Sequence, residues 1–428
     1  MAKKTAKKTA KQPAKSSPKS AAKCATARTP LAADRGEPIG RMEPLLIAEG
    51  SRHRQALSDM AFELAAKSAG FKRSLPPGLL NTLADLVRAM NCYYSNLIEG
   101  HDTHPVDIER ALNNDYSTDI KKRNLQLEAK AHIAVQAWID GGGLSGSVAN
   151  TQAVLTLHQR FCEHLPDELL WVEDPDTDKK YRVEPGALRT RDVKVGNHVP
   201  VSPGALPRFM QRYEAVYAPL GKAEAILAGA AMHHRLLWIH PFLDGNGRVA
   251  RLASHAQLLT LLDTGGVWSI ARGLARNVGQ YKSLLAQCDL QRRNDLDGRG
   301  NLSEEALVEW TRFFLQTCLD QVAFMEDLMQ PDRLRARVQL WAEEEMRLGH
   351  LPARSGQILE AILYRGQLPR AEVAGLLGVP ERTARRVTAA LLDYGVLVSA
   401  TTKTPLRLAF PARLAGRWMP GLFPDKSS

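Results

Sequence analysis

The chain has 428 residues, 44% hydrophobic and 24% charged, a composition that supports two or three globular units, each with its own core. Nine of its eleven net positive charges lie within residues 1–28, which hold eight lysines and Arg28 and no acid, so a molecule that binds nucleic acid through its overall charge is excluded. No apolar run approaches the roughly 20 residues of a membrane span, and five scattered cysteines without a Cys-x-x-Cys pair argue against a disulfide framework or a structural zinc site and fit a reducing cytoplasm.

Residues 1–36 are low-complexity, with lysine pairs, alanines and prolines and little to bury, and are expected to be disordered. Their composition resembles that of linker-histone tails. An electrostatic arm for DNA or RNA and a plain solvated extension both fit. The stretch has no apolar core of the kind a secretory signal requires. Residues 37–140 read as a helical region, in which Leu79, Leu80, Leu83, Leu86, Val87 and Met90 recur at three- and four-residue spacing. A further helix is predicted from about Lys121 to Ile139, and Gly141 to Ser147 (GGGLSGS) marks a joint.

The next unit spans 149–318 and begins with a helix over Thr151 to Leu165. Between Trp171 and Pro203, Tyr181, Val183, Val193, Val195, Val199 and Val201 alternate with polar residues around Gly186 and Gly196, which predicts a β-hairpin. Helical patterning then runs to about Leu348, with 319–349 expected as a connecting helix. In 350–415, helices are predicted at Gly356–Tyr364, Arg370–Leu377 and from Pro380 to Tyr394, where Gly395 stops the last. Two strands around a Thr401–Lys403 turn follow. That order is similar to a winged helix-turn-helix. Nine Arg or Lys oppose four acids between 354 and 413, and Arg382, Arg385 and Arg386 fall on the expected recognition helix, so a DNA partner and a protein partner both stay open.

The chemistry concentrates in His240 to Arg251, H-P-F-L-D-G-N-G-R-V-A-R. Gly245, Asn246, Gly247 and Arg248 can turn tightly into a helix over Val249 to Leu262, which aims backbone N–H groups and the positive end of the helix dipole at one anion site. Arg251 lies one turn along the same face and can hold a further phosphate. Asp244 offers a hard oxygen for Mg²⁺, and His240 is the one group in the string that can take a proton near neutral pH. These are the parts for transferring a phosphorus group to a hydroxyl. A P-loop is absent.

The string resembles the signature of Fic proteins, H-P-F-x-D/E-G-N-G-R-x-x-R, at every fixed position. The resemblance implies a mainly α fold: an all-helical Fido core with a β-hairpin flap, here followed by the small C-terminal winged helix-turn-helix. It implies a protein adenylyltransferase that uses ATP as donor and Mg²⁺, moving AMP to a Ser, Thr or Tyr hydroxyl of a target protein or of itself. His240 would deprotonate the hydroxyl, Asp244 would hold Mg²⁺, Gly245 to Arg248 would cradle the phosphates and Arg251 would grip the γ-phosphate. His233 is expected to be structural. The stretch Arg191 to Val199 looks like the family's flap, which pins a target segment by strand addition. Asn277 and Tyr281 lie where relatives place residues around the adenine; Lys282 departs from the paired tyrosines often found there, and a core role for Tyr281 is the other reading.

Upstream, Ser95-Asn-Leu-Ile-Glu99-Gly100 fits the inhibitory motif of the same family, Ser/Thr-x-x-x-Glu-Gly/Asn. Ser95 and Glu99 share a helix face that Gly100 can end. The implied action is that Glu99 pairs with Arg251 and removes the γ-phosphate clamp. In some relatives the same glutamate positions a water that removes AMP. Two alternatives therefore remain: a DNA-binding regulator with a nucleotide-sensing Fic core, and a Fic enzyme that uses UTP or GTP or removes AMP. No membrane partner is expected, and a homo-oligomer is left open.

Overall fold

Apolar residues that recur every three or four positions set most of the architecture. In the computed structural model, which describes residues 33–174 and 178–424, the N-terminal part holds α1 (Arg54–Ser74), α2 (Pro77–Ile98), α3 (Pro105–Leu112) and α4 (Ile120–Asp140). Pro77 opens α2, and Asp119 caps α4 by accepting the Lys122 N–H at 2.9 Å. Next come α5 (Thr151–Glu163), α6 (Leu206–Tyr217), α7 (Lys222–Ile239), α8 (Asn246–Leu262), α9 (Ala271–Arg276), α10 (Val278–Cys288) and α11 (Glu304–Leu328). The remainder is α12 (Pro331–Arg347), α13 (Ser355–Arg365), α14 (Val373–Leu377), α15 (Glu381–Asp393) and the short α16 (Ala415–Trp418).

Helix α7 is the centre. Every residue from Ala225 to Leu236 is buried, the mark of a helix enclosed on all sides. Small side chains let α8 close on it: a methyl group added at Gly229 would stand 3.3 Å from Gln257 of α8. Helices α5 and α4 cover the other side of α8, and α11 crosses α1 and α7. The motif is thus the loop between two enclosed helices.

The β structure differs from expectation. The regular hairpin is β1 (Trp171–Glu173) with β2 (Lys180–Arg182), antiparallel with Val172 opposite Tyr181. The Arg191 to Val199 stretch is a tight turn closed by reciprocal Val195–His198 backbone bonds of 3.0 Å, not a pair of strands. Alternating valines were the signal there, but Pro200 and Pro203 remove two donors and Arg189 takes the carbonyls a ladder would use.

Three boundaries also move. The expected disordered tail lies outside the described residues up to 32, but residues 33–36 are fixed: Gly204 donates to Ala33 O at 2.9 Å and Arg35 pairs with Asp192. One helix, α11, runs through the expected break at 318, because its apolar stripe continues from Leu315 to Leu328. Beyond residue 415 the chain packs back on the core. Leu422 O accepts the Tyr94 hydroxyl at 3.0 Å and Gly421 O accepts Arg272 Nη2 at 2.8 Å.

The C-terminal unit has three helices, α13 to α15, followed by β3 (Leu397–Val398) antiparallel to β4 (Arg407–Leu408). It meets α2 closely enough that a methyl group at Gly78 would stand 2.2 Å from Gly366 O. Cys92, Cys162, Cys288 and Cys318 are free and buried, and no helix among the described residues is long and apolar enough to cross a membrane.

Candidate active site

His240 ends α7 in the left-handed conformation, φ 52° and ψ 63°, which turns the chain sharply into the motif loop. Its Nδ1 lies 3.3 Å from Leu237 O, so Nδ1 carries the proton and Nε2 keeps its lone pair. Burial pushes the imidazolium down to about 4, with Arg189 and His198 adding to the effect. At neutral pH His240 is a neutral base of fixed tautomer.

The loop is held from within and below. Asn246 Oδ1 accepts the Phe242 N–H at 3.0 Å while its Nδ2 donates to Phe242 O at 2.9 Å, so the side chain closes the turn rather than reaching for a ligand. His158 of α5 stacks on Phe242 with centroids 3.8 Å apart and receives the Gly186 N–H at 3.0 Å. Gly245, φ 79°, starts α8 without a side-chain cap, which leaves the first-turn N–H groups facing outward. Asp244 beside it is exposed. A single free carboxylate next to an anion site suits Mg²⁺, which is commonly held by one or two carboxylates together with substrate phosphates.

The two arginines go to different partners. Arg251 is buried; its Nε donates to Ser95 Oγ at 2.9 Å, and its Nη2 donates to Ser95 O at 3.2 Å and to Glu99 Oε1. Burial alone would raise the Glu99 carboxyl, and the Arg251 guanidinium overrides this and holds it below the usual range. The Glu99 carboxylate also lies against the first turn of α8: a methyl group at Gly247 would stand 2.5 Å from Glu99 Oε1. It occupies the place an anion would take. Arg248 is paired on the other side. Its Nη2 donates to Glu128 Oε2 of α4 at 3.0 Å, and His101 Nδ1 lies 2.9 Å from the same oxygen.

His233 is structural, as expected, bound to Ser254 Oγ and to the Tyr281 hydroxyl at 2.8 Å each. Tyr281 is 2% exposed and its ring packs 5.7 Å from that of Trp310, so it belongs to the core and offers no open face for a base. Asn277 is exposed at the α9–α10 joint, with its amide on Gly273 O. Arg189, His158 and Glu128 carry no mark in the sequence, and His198 stands there only as part of the flap stretch. Arg189 meets His240 across 51 residues and Glu128 meets Arg248 across 120, His158 stacks on Phe242 from α5, and His198 bonds Trp238 just ahead of the motif, so no local spacing marks these contacts.

Residues 148–258 match the Fic/DOC family. The chain carries a Fic domain. Over 223 residues it is 26% identical to the Drosophila erecta protein named Protein adenylyltransferase Fic, which covers 50% of this chain and 42% of that one. The Drosophila willistoni protein of the same name is 29% identical over 171 residues, 39% of this chain and 31% of that one. The match therefore spans less than half the length of these relatives. A crystal structure of a Fic family protein from Desulfovibrio desulfuricans G20 shares the fold, with TM-score 0.50 at 15% identity over 85% of this chain and 98% of that one. The Fic domain is all-helical apart from the short hairpin, and its motif is the α7–α8 loop described above.

Proposed function

We propose that this Fic protein is an adenylyltransferase that moves AMP from ATP to a Ser, Thr or Tyr hydroxyl of a protein and is restrained by Glu99. The observation that carries the reading is one continuous unit: a neutral His240 with Nε2 free, an uncapped helix start and a buried Arg251. The target oxygen attacks the α-phosphorus, the bond to the α–β bridging oxygen breaks, pyrophosphate leaves and the hydroxyl proton passes to His240 Nε2. The first-turn N–H groups of α8 and Arg251 hold the phosphates in line. Bound at Asp244, Mg²⁺ would neutralise phosphate charge. A target segment would lie along the turn at Val195–Val199, whose two valines are exposed. Free, buried cysteines fit a reducing, cytoplasmic setting.

Glu99 blocks by occupying Arg251 and the α8 N-terminus, so ATP is seated with its α-phosphorus out of line. The test is intact mass after incubation with ATP, UTP or GTP. Glu99→Gly should gain an AMP increment from ATP, the wild type should gain little, and Glu99→Gly with His240→Ala should gain none. Transfer that survives His240→Ala, or a Glu99→Gly protein inert with every donor, would overturn the reading. A UMP or GMP increment would reassign the donor, and loss of AMP from a pre-modified target would reassign the direction.

A second reading concerns the C-terminal unit. Arg382, Arg385 and Arg386 are exposed on α15 beside the β3–β4 pair, the arrangement in which a winged helix-turn-helix presents a helix to duplex DNA. Duplex binding that weakens steeply with salt and is lost in Arg382→Glu/Arg386→Glu supports it; salt-insensitive binding, or none, leaves a protein partner instead.

A further inference from the structure

Arg189, between β2 and the flap turn, is 4% exposed and forms no ion pair among the described residues, although Asp192 and Glu37 lie near enough to act on its charge. Its guanidinium gathers three main-chain carbonyls. Nε donates to His240 O at 2.8 Å, Nη1 to Arg191 O at 2.8 Å and Nη2 to Val201 O at 2.5 Å. Its own N–H donates to Pro241 O at 2.9 Å. Arg191 and Val201 stand on the two legs of the flap, so one side chain ties both legs to the residue that carries the base. A second tie runs beside it, from His198 Nε2–H to Trp238 O at 2.8 Å.

A charge buried against neutral acceptors alone is costly. Burial pulls the Arg189 guanidinium down to about 10, which still leaves it charged at neutral pH. The carboxylates of Asp192 and Glu37 favour the charge from a distance, but neither takes a hydrogen bond from it. What the cation does serve is His240, whose left-handed backbone has no glycine to ease it. Three N–H donors in a rigid fork fix the carbonyl direction, hence the peptide plane, hence the imidazole position.

We infer that Arg189 is a positioning residue for the transfer reaction, holding His240 and the flap in one frame so that a hydroxyl presented on the flap arrives at a set distance from Nε2. This rests on the transferase reading above, but it is a statement about His240 geometry and can be read without turnover. The charged and titratable groups that face His240 are Arg189 and His198 from the flap and Asp244 from its own loop.

Two measurements on the full chain separate the outcomes. The first is the titration of the His240 imidazole followed by ring-carbon NMR in proteins bearing Arg189→Met or Arg189→Lys. Methionine removes cation and fork, so the midpoint should rise from about 4 toward the ordinary histidine value; lysine keeps the cation, so the midpoint should stay low while the fixed Nδ1–H tautomer is lost. The second, in Glu99→Gly, is a split of kinetic constants: kcat should fall on the order of 10–100-fold in both variants while KM for ATP changes less than about twofold, since α8 and Arg251 are untouched. An unchanged His240 titration and tautomer in Arg189→Met overturns the inference, as does a parallel loss of kcat and ATP binding, which means general damage. If Glu99→Gly is inert, the transferase reading falls and the NMR result alone decides the role of Arg189.

Discussion

The two sides of helix α8 use the same chemistry to opposite ends. On the α4 side, Arg248 and Glu128 are 8% and 14% exposed, and Glu128 is shared with His101. On the α2 side, Arg251 is 3% exposed but Glu99 is 35% exposed and sits at the last turn of its helix, ahead of Gly100 at φ 87°. One pair is enclosed on both halves and acts as a scaffold. The other encloses its cation and leaves its carboxylate about a third exposed. Its carboxylate stands at the end of α2, just past the buried Ile98, and lies against the first turn of α8. Under the proposed restraint by Glu99, arginines one turn apart are thus divided into a fixed strut and a contested clamp.

The largest expected effect strikes the strut. Glu128→Ala leaves a buried guanidinium without its carboxylate and should cost about 3–5 kcal/mol of stability, read by urea unfolding. A melting curve equal to that of wild type would erase the distinction between the two sides. Glu99→Gly comes next and should act in the other assay: transfer rises on the order of 10²-fold, because the α-phosphorus comes into line, while stability changes little. A Glu99→Gly protein as destabilised as Glu128→Ala would make the clamp a second strut.

Acid should not open the clamp. Because Glu99 is held below the ordinary carboxyl range, it stays ionised as pH falls through 6 and 5, and its pair with Arg251 persists. His240, held down to about 4, stays an unprotonated base over the same interval. In Glu99→Gly the rate should therefore stay level from pH 7 to about 5 and drop on approach to about 4, with no acid-activated window in the wild type. A pH–rate profile with its acidic midpoint near 6.5 would mean that His240 is not enclosed as the structure has it.

How much of this division could be read beforehand depends on distance along the chain. The motif string, the Ser95–Glu99 face and the order of helices in the C-terminal unit are local patterns, and each forms where its spacing put it. Glu128 was silent because a glutamate on an amphipathic helix is indistinguishable from a solvated one until α8 closes over it. Arg248 is alike: its place in the turn suits a phosphate, and only the packing of α4 shows that it is also paired with Glu128. The flap misled through its valines, whose alternation reads as strand although two prolines and the Arg189 fork leave too few donors and acceptors for a ladder. For Tyr281 the sequence leaves a base platform and a core ring equally open, and the packing of Trp310 and His233 around it decides for the core.

The smallest effect tests the finest part of the comparison. Ser95 gives Arg251 two acceptors, Oγ at 2.9 Å to Nε and the main-chain oxygen at 3.2 Å to Nη2, and it thereby sets the guanidinium edge that Glu99 meets. Ser95→Ala removes only the hydroxyl. The main-chain oxygen and Glu99 remain, so the clamp should loosen by about 1 kcal/mol and transfer should rise by about fivefold, well short of Glu99→Gly. The double variant Ser95→Ala/Glu99→Gly should then equal Glu99→Gly, since with the carboxylate gone there is no pairing left for the hydroxyl to orient. If Ser95→Ala instead lowers activity in the Glu99→Gly background, Ser95 holds Arg251 for the γ-phosphate as well as for Glu99, and the α2 side is part strut after all.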